Sequence, residues 1–109
     1  MASLSSLCPF RTFKRNGSLM KSIRVIVHGT VQGVGFRYYT QQEALRLGVT
    51  GYVRNLPNNT VEIVAEGSES QVDALLAWPY QGPSAAHVTQ VEVFEQTVTG
   101  NFSTFSVER

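Results

Sequence analysis

Hydrophobic side chains follow two different periods along this chain, and these periods predict where strands and helices lie. Every second residue between Ser22 and His28 is apolar, which predicts a half-buried strand. From Phe36 to Leu47 core-type side chains recur at helical spacing, which predicts a helix, and Gly48 suits its C-terminal cap. The positions on the inner face of this helix are Phe36, Thr40, Ala44 and Leu47.

A hairpin is predicted next. Two strand patterns follow the helix, from Thr50 to Asn55 and from Thr60 to Glu66. The segment between them contains Pro57-Asn58-Asn59, and asparagine tolerates the left-handed backbone angles that a tight turn demands. The two strands are therefore expected to be antiparallel neighbours.

The second half of the chain repeats the alternation of helix and strand. Ser68 and Gln71 have the spacing of a capping box, so a helix is expected to begin there, and Pro79 is expected to end it. Strand patterns follow from His87 to Gln96 and from Phe102 to Val107. The order is βαββαβ plus a short extra strand. It predicts an α+β, ferredoxin-like two-layer sandwich, with two helices on one face of an antiparallel β-sheet.

Length and composition limit the classes of protein. The chain has 109 residues and a net charge of +1, which allows one domain with a two-layer core. No apolar run approaches the roughly 20 residues of a membrane span, so a soluble protein is expected. The single cysteine, Cys8, excludes an intramolecular disulfide. That suits a reducing compartment, and the predicted location is cytoplasmic.

The first 20 residues differ in composition from the rest. Residues 1–20 form a serine-rich, acid-free leader that is predicted to be disordered, and the domain is assigned to residues 21–109. Three explanations of the leader stay open: an organelle transit peptide, an upstream start that precedes Met20, or residues added to the natural protein. From Ser22 onward five arginines face eight carboxylates, so the domain lacks a broad positive field for nucleic acid. An anionic ligand must therefore be met by local charge.

The loop from Gly29 to Arg37 carries the candidate chemistry. Its sequence is Gly29-Thr30-Val31-Gln32-Gly33-Val34-Gly35-Phe36-Arg37. Its three glycines can adopt backbone angles that turn successive N–H groups toward one centre, and the following helix adds its positive dipole end. Arg37 adds a permanent charge with fork-shaped donors that match a phosphoryl group. The common nucleotide loops do not fit, because no Lys-Ser or Lys-Thr follows Gly33 and Tyr38 stands where a third glycine belongs. Taken alone, the loop could equally be a structural turn.

A second segment changes the interpretation of the loop. After the predicted helix come Gly51-Tyr52-Val53-Arg54-Asn55. Together the two segments resemble the acylphosphatase family, which carries a G-x-V-Q-G-V-x-F-R loop and a G-[WY]-V-x-N strand in this order. The resemblance extends from about Ser22 to the C-terminus, including Gly82 to Val88 and the ending Phe105 to Arg109. Tyr52 replaces the tryptophan of some members, which affects packing more than chemistry.

The resemblance implies hydrolysis of small acyl phosphates to a carboxylate and inorganic phosphate. In that interpretation Arg37 and the loop amides bind the phosphoryl group, and Asn55 orients the attacking water. The amides are those of Val31, Gln32, Gly33, Val34, Gly35 and Phe36. No metal and no cofactor is expected. Since neither a guanidinium nor an amide titrates near neutrality, catalysis is expected to depend on positioning and electrostatics.

Several other residues are predicted to play ordinary structural roles. His28 and His87 are not spaced as a metal pair, and Trp78 is expected to anchor the core or its rim. Arg54 should face the sheet side opposite to Asn55, because strand neighbours alternate. Tyr38 and Tyr39 are expected to wedge against the sheet rather than line the pocket.

Two other classes of protein share features with this sequence. An RNA-binding sandwich would stack bases on aromatic residues of its central strands, and Thr60 to Glu66 contains none. The other rival is a module that binds acyl or carbamoyl phosphate without turnover. The expected partner is a small acyl phosphate, with no nucleic acid and no membrane, and the expected state is a monomer.

Overall fold

The computed structural model describes residues 14–15, 18–81 and 86–108. The helices are α1 (Phe36–Leu47), α2 (Glu69–Leu76) and α3 (Trp78–Gln81). The strands are β1 (Lys14–Arg15), β2 (Ser18–Thr30), β3 (Thr50–Asn55), β4 (Val61–Ser68), β5 (His87–Gln96) and β6 (Phe105–Glu108). None of the helices in these ranges is long and apolar enough to cross a membrane.

The main strands form one sheet in the order β5-β2-β4-β3-β6, and β1 pairs with the start of β2. All neighbours are antiparallel except β3 and β6, which run parallel. The sheet is therefore mixed, and the prediction of an antiparallel sheet is wrong at this edge. Residues 97–104 join the end of β5 to the start of β6 at one end of the sheet, which sets the direction of β6.

The core lies between the sheet and the helices. α1 packs on β3 and β6, and α2 packs on β2 and β4, which confirms a ferredoxin-like α+β sandwich with both helices on one face. Trp78 anchors this layer: its Nε1 donates to Oγ1 of buried Thr40 at 2.7 Å, and its ring lies 6.2 Å from that of Phe36. The buried apolar cluster includes Ile23, Val25, Val27, Val31, Phe36, Val49, Val53, Ile63, Val72 and Phe105.

The opposite sheet face carries buried charge. The Glu62 carboxylate is 2 % exposed and accepts hydrogen bonds from Arg24 and Arg54 on the flanking strands. Residues 97–104 cross this face, where the carboxylate of Glu66 accepts from the backbone N–H groups of Thr99 and Gly100 at 3.0 and 3.1 Å. Both carboxylates are thus satisfied by donors from neighbouring parts of the chain.

Local signals predicted both boundaries of three elements and the start of a fourth. The bounds of α1, β3 and β5 agree with prediction, Gly48 caps α1 at φ 81°, and Ser68 and Gln71 form the capping box. Asn59 adopts φ 68° in the hairpin turn, as expected of asparagine.

Several expectations need correction. β2 and β4 are longer than predicted: β2 extends beyond both Ser22 and His28, and β4 ends at Ser68 rather than Glu66. The second helix ends at Leu76, before Pro79, and Pro79 lies inside the separate turn α3. β6 begins at Phe105 rather than Phe102. Ser18–Met20, assigned to the leader, lie in β2, and Lys14–Arg15 pairs with that strand. Tyr38 and Tyr39 are 57 % and 48 % exposed rather than wedged against the sheet. Residues 1–13, 16–17, 82–85 and 109 lie outside the described residues, and so does most of the predicted leader.

Candidate active site

The glycine-rich loop is held at both ends and open in the middle. Val31 and Phe36 are each 1 % exposed, so their side chains fix the loop to the core. Between them, Gly33 and Gly35 are exposed and adopt φ values of 78° and 80°. Side chains rarely adopt these angles, so glycine at both positions lets the backbone turn its N–H groups outward. The loop is thus anchored to the core at both ends, and its middle exposes backbone N–H groups.

The helix that follows the loop has no side-chain cap. Gly35 is the N-cap residue of α1, no side chain bonds the first N–H groups, and the first turn contains no acidic residue. Among the described residues, no acceptor receives a backbone N–H from Val31 to Phe36. Unpaired N–H groups at a helix start, together with the dipole, favour an anion. The positive electrostatic potential and free donors at this end of α1 therefore suit a phosphoryl group.

Arg37 differs from the other arginines whose side chains are described. Arg24 and Arg54 bind Glu62, and Arg46 binds Glu43. Arg37 has no carboxylate partner in the described part of the chain, and its Nη1 donates only to the backbone carbonyl of Glu108 at 3.0 Å. The guanidinium is thus oriented while its charge and most of its donors stay available.

Asn55 ends strand β3 on the helix side of the sheet. Its neighbour Arg54 bonds Glu62 on the opposite face, as strand alternation predicted. The Oδ1 atom of Asn55 is buried and has no hydrogen-bond partner, which is true of no other buried side-chain nitrogen or oxygen in the described residues. A buried acceptor without a donor costs about 1–3 kcal/mol, so this oxygen is a candidate for binding a group from outside the fold.

Two sets of contacts bring the loop, Arg37 and the end of β3 together. The Nε2 atom of Gln32 donates to the carbonyls of Leu56 and Thr60 at 2.9 and 2.8 Å, which joins the loop to the turn directly after Asn55. On the other side, Arg37 binds Glu108, the register partner of Arg54 in β6. The predicted phosphate loop, its arginine and Asn55 therefore lie at one end of the sheet.

Sequence reasoning missed two contributors to this arrangement. The prediction for Gln32 concerned only its backbone amide, and its side chain in addition connects the loop to the hairpin turn. The carbonyl of Glu108 orients Arg37, which no side-chain pattern could reveal. The only sequence signal was a polar side chain at Gln32 in a loop of glycine and valine.

His28 lies outside this cluster, and Tyr39 lies at its rim. His28 binds Glu92, and no group of three or more potential metal ligands forms within the described ranges. Tyr39 lies beside the loop, because a Cβ atom added to Gly35 would be 3.3 Å from its ring.

The fold and this site define a class: small α+β sandwiches that bring a glycine-rich loop, an uncapped helix start and an unpaired arginine together at one end of the sheet. The acylphosphatase family profile matches residues 23–107 of the chain. An acylphosphatase of Methylococcus capsulatus is 52 % identical over 90 residues, which cover 83 % of this chain and 98 % of that protein.

Solved structures agree with this match. The crystal structure of acylphosphatase from Bacillus subtilis has a TM-score of 0.78 and 36 % identity, and covers 82 % of this chain and 99 % of that one. Thermococcus kodakarensis HypF matches with a TM-score of 0.73 and 32 % identity, over 82 % of this chain but 12 % of its own. The chain belongs to the acylphosphatase family. Its enzyme activity is that family's hydrolysis of small acyl phosphates to a carboxylate and inorganic phosphate.

Proposed function

We propose that Arg37 and the backbone N–H groups from Val31 to Phe36 bind the phosphoryl group, while Asn55 orients the attacking water. The free charge of Arg37 and the uncapped start of α1 support the binding role. Charge-assisted hydrogen bonds contribute roughly 1.5–3 kcal/mol each, so one guanidinium and several amides are sufficient to hold a small dianion. The buried Oδ1 of Asn55 supports the second role.

The reaction needs no titrating side chain. Oδ1 of Asn55 accepts a hydrogen bond from water, and a lone pair of that water attacks phosphorus. The bond between phosphorus and the acyl oxygen breaks, and its electron pair leaves on the carboxylate. The proton of the water passes to a phosphoryl oxygen, which yields inorganic phosphate. Arg37 and the loop amides stabilise the negative charge on the phosphoryl oxygens throughout.

This mechanism predicts how turnover depends on pH and on metal ions. Because a guanidinium stays protonated and an amide does not titrate, turnover should be nearly constant around neutral pH. Turnover should also be independent of added metal, since Arg37 and the helix start supply the positive charge. A sharp bell-shaped profile, or loss of activity on treatment with a chelator, would require another mechanism.

The partnerless Oδ1 of Asn55 carries the proposal. We expect Asn55→Ala to lower turnover of benzoyl phosphate about 100- to 1000-fold, as loss of an aligned hydrogen-bonding group does. Inhibition by inorganic phosphate should change little, because the loop and Arg37 are intact. A suitable control is Asn101→Ala, which removes an exposed amide on the loop before β6. Turnover that equals the wild-type value in Asn55→Ala would remove Asn55 from the mechanism.

The rival prediction, a domain that binds an acyl or carbamoyl phosphate without useful turnover, is not supported, because relatives that are 52 % and 51 % identical over most of the chain are acylphosphatases. Isothermal titration with phosphate and a hydrolysis assay separate the candidates, since the module would bind and not hydrolyse. A monomeric state, a cytoplasmic location and the absence of nucleic-acid binding stay predictions. Light scattering, cell fractionation and filter binding test them.

A further inference from the structure

The side chain of Gln32 connects the two halves of the proposed site. Its Nε2 carries two N–H donors, and both are used: one bonds the carbonyl of Leu56 at 2.9 Å and the other that of Thr60 at 2.8 Å. Gln32 lies in the phosphate loop, whereas Leu56 and Thr60 belong to the turn between β3 and β4. The amide thus joins segments that are distant in sequence and adjacent at the site.

The two carbonyls also define the shape of the turn. Within it, the N–H of Leu56 donates to Thr60 at 2.8 Å, and the N–H of Asn59 donates to Leu56 at 3.2 Å. Leu56 is the residue directly after Asn55. A shift of the turn relative to the loop therefore moves the peptide that carries the Asn55 carboxamide.

The Oδ1 atom of Asn55 accepts no hydrogen bond that could hold the side chain in place. Its position depends on the β3 backbone, and this backbone leaves the sheet ladder at Asn55. Beyond this point, the side-chain hydrogen bonds that join the turn to the loop within the described residues are those from Gln32. A misplacement of about 1 Å at a reacting group can cost a hundredfold in rate, so such a link affects catalysis directly.

We propose that Gln32 is a positioning residue for the hydrolysis. Its side-chain amide holds the hairpin turn against the phosphate loop and so fixes the distance between the Asn55 carboxamide and the bound phosphoryl group. This inference depends on the proposed role of Asn55. It goes beyond the loop-amide role of Gln32, because the side chain acts here through another residue.

A double-mutant cycle on kcat tests the proposal. Gln32→Met keeps the length of the side chain and removes both N–H donors, so kcat for benzoyl phosphate should fall roughly 10- to 100-fold. The inhibition constant of inorganic phosphate should stay within about twofold, because the loop amides and Arg37 are retained. In an Asn55→Ala background the same substitution should lower kcat by less than about twofold, because the residue it positions is gone.

The control is Gln41→Met, which removes a bond of the same type, from Nε2 to the carbonyl of Phe105 at 3.1 Å. Its effect on kcat should be equal in the two backgrounds. Urea unfolding followed by the fluorescence of Trp78 shows that each variant is folded. If Gln32→Met does not fold, Gln32→Asn serves instead, because its amide is too short to reach both carbonyls.

The outcomes separate the inference from the proposed function. An equal fold-decrease in the wild-type and Asn55→Ala backgrounds would show that Gln32 does not act through Asn55. An unchanged kcat in Gln32→Met would show that it positions nothing. Full turnover in Asn55→Ala alone would instead overturn the proposed role of Asn55, whatever the result at Gln32.

Discussion

Two arginines that lie at one end of the sheet have opposite surroundings. Arg54 is next to Asn55 in sequence, points to the outer sheet face and binds the buried carboxylate of Glu62. Arg37 lies on the helix side, binds a backbone carbonyl and has no carboxylate partner in the described residues. The charge of Arg54 is paired within the fold, whereas that of Arg37 has no carboxylate partner there, which supports the proposal that Arg37 binds an external anion. Pairing, rather than residue type, distinguishes the arginine that we propose as functional from Arg54.

The buried acceptors of the two faces differ in the same way. The carboxylate of Glu66 accepts hydrogen bonds from Ser22, Thr99 and Gly100, so its desolvation is compensated. The Oδ1 of Asn55 is also buried and accepts none. Among the side chains that the structure describes, this oxygen is the one buried polar atom left unsatisfied, and it lies where we propose that water binds.

The largest expected contrast comes from replacing each arginine by lysine. Lysine keeps the charge but loses the planar fork, so Arg37→Lys should lower kcat/KM roughly 10- to 100-fold, which is the loss of one charge-assisted hydrogen bond. Phosphate inhibition should weaken in parallel. Arg54→Lys is the matched control: its turnover should stay within about twofold of wild type, because its contacts belong to the outer face. Steady-state kinetics with benzoyl phosphate measures both.

The reverse pattern would break the comparison. If Arg54→Lys loses activity and Arg37→Lys retains both activity and phosphate inhibition, the two sheet faces have been assigned the wrong roles.

Glu62→Gln tests the outer face alone. The substitution leaves Arg24 and Arg54 without their shared carboxylate, which should lower the free energy of unfolding by about 1–2 kcal/mol, a value reduced because both arginines are partly exposed. The rate of hydrolysis by the folded enzyme should be unchanged, because Glu62 and Asn55 lie on opposite faces. Urea unfolding monitored by Trp78 fluorescence gives the first quantity, and initial rates give the second. A loss of rate without a loss of stability would contradict this separation.

Acid should remove the contribution of Glu62. Burial raises the pKa of this carboxyl, but the hydrogen bonds from Arg24 and Arg54 outweigh burial and hold the pKa below its ordinary value of 4.5. A carboxyl with a lowered pKa in the folded state stabilises the protein fully above its unfolded-state pKa. That contribution disappears as the pH falls through the folded-state value. The difference in unfolding free energy between wild type and Glu62→Gln should therefore be constant near neutrality and shrink below about pH 4.5. A constant difference down to about pH 3 would contradict the assignment.

Local patterns were enough to predict most of the fold. α1 was bounded correctly because both of its ends are specified by nearby glycines, and the hairpin turn was placed correctly because asparagine suits it. The direction of β6 was not predictable in this way. It follows from where residues 97–104 cross the sheet, and the contacts with Glu66 along that path join residues far apart in sequence.

The candidate site was also predictable only in part, because its residues lie in local motifs but the contacts that assemble them do not. Arg37, Asn55 and the loop glycines lie in short motifs, and their residue types indicate their chemistry. The contacts that assemble them are long-range and end on backbone carbonyls, as with Gln32 on Leu56 and Arg37 on Glu108. Any residue supplies a carbonyl, so no sequence pattern marks the acceptor.

The smallest expected effect is the stabilisation of the folded protein by inorganic phosphate, and it separates the two regions without relying on catalysis. A ligand that binds only the folded state at ten times its Kd adds about 1.4 kcal/mol to the free energy of unfolding, which should raise the Tm of the wild type by several degrees. Glu62→Gln starts from a lower Tm and should show the same increment, because the phosphate loop is intact. Arg37→Lys should show a smaller increment at equal phosphate. Sodium chloride at matched ionic strength controls for screening, since it would shift all three proteins alike. Equal phosphate increments in all three proteins would show that Arg37 does not contribute to phosphate binding, and increments that sodium chloride reproduces would show that phosphate acts as a general salt.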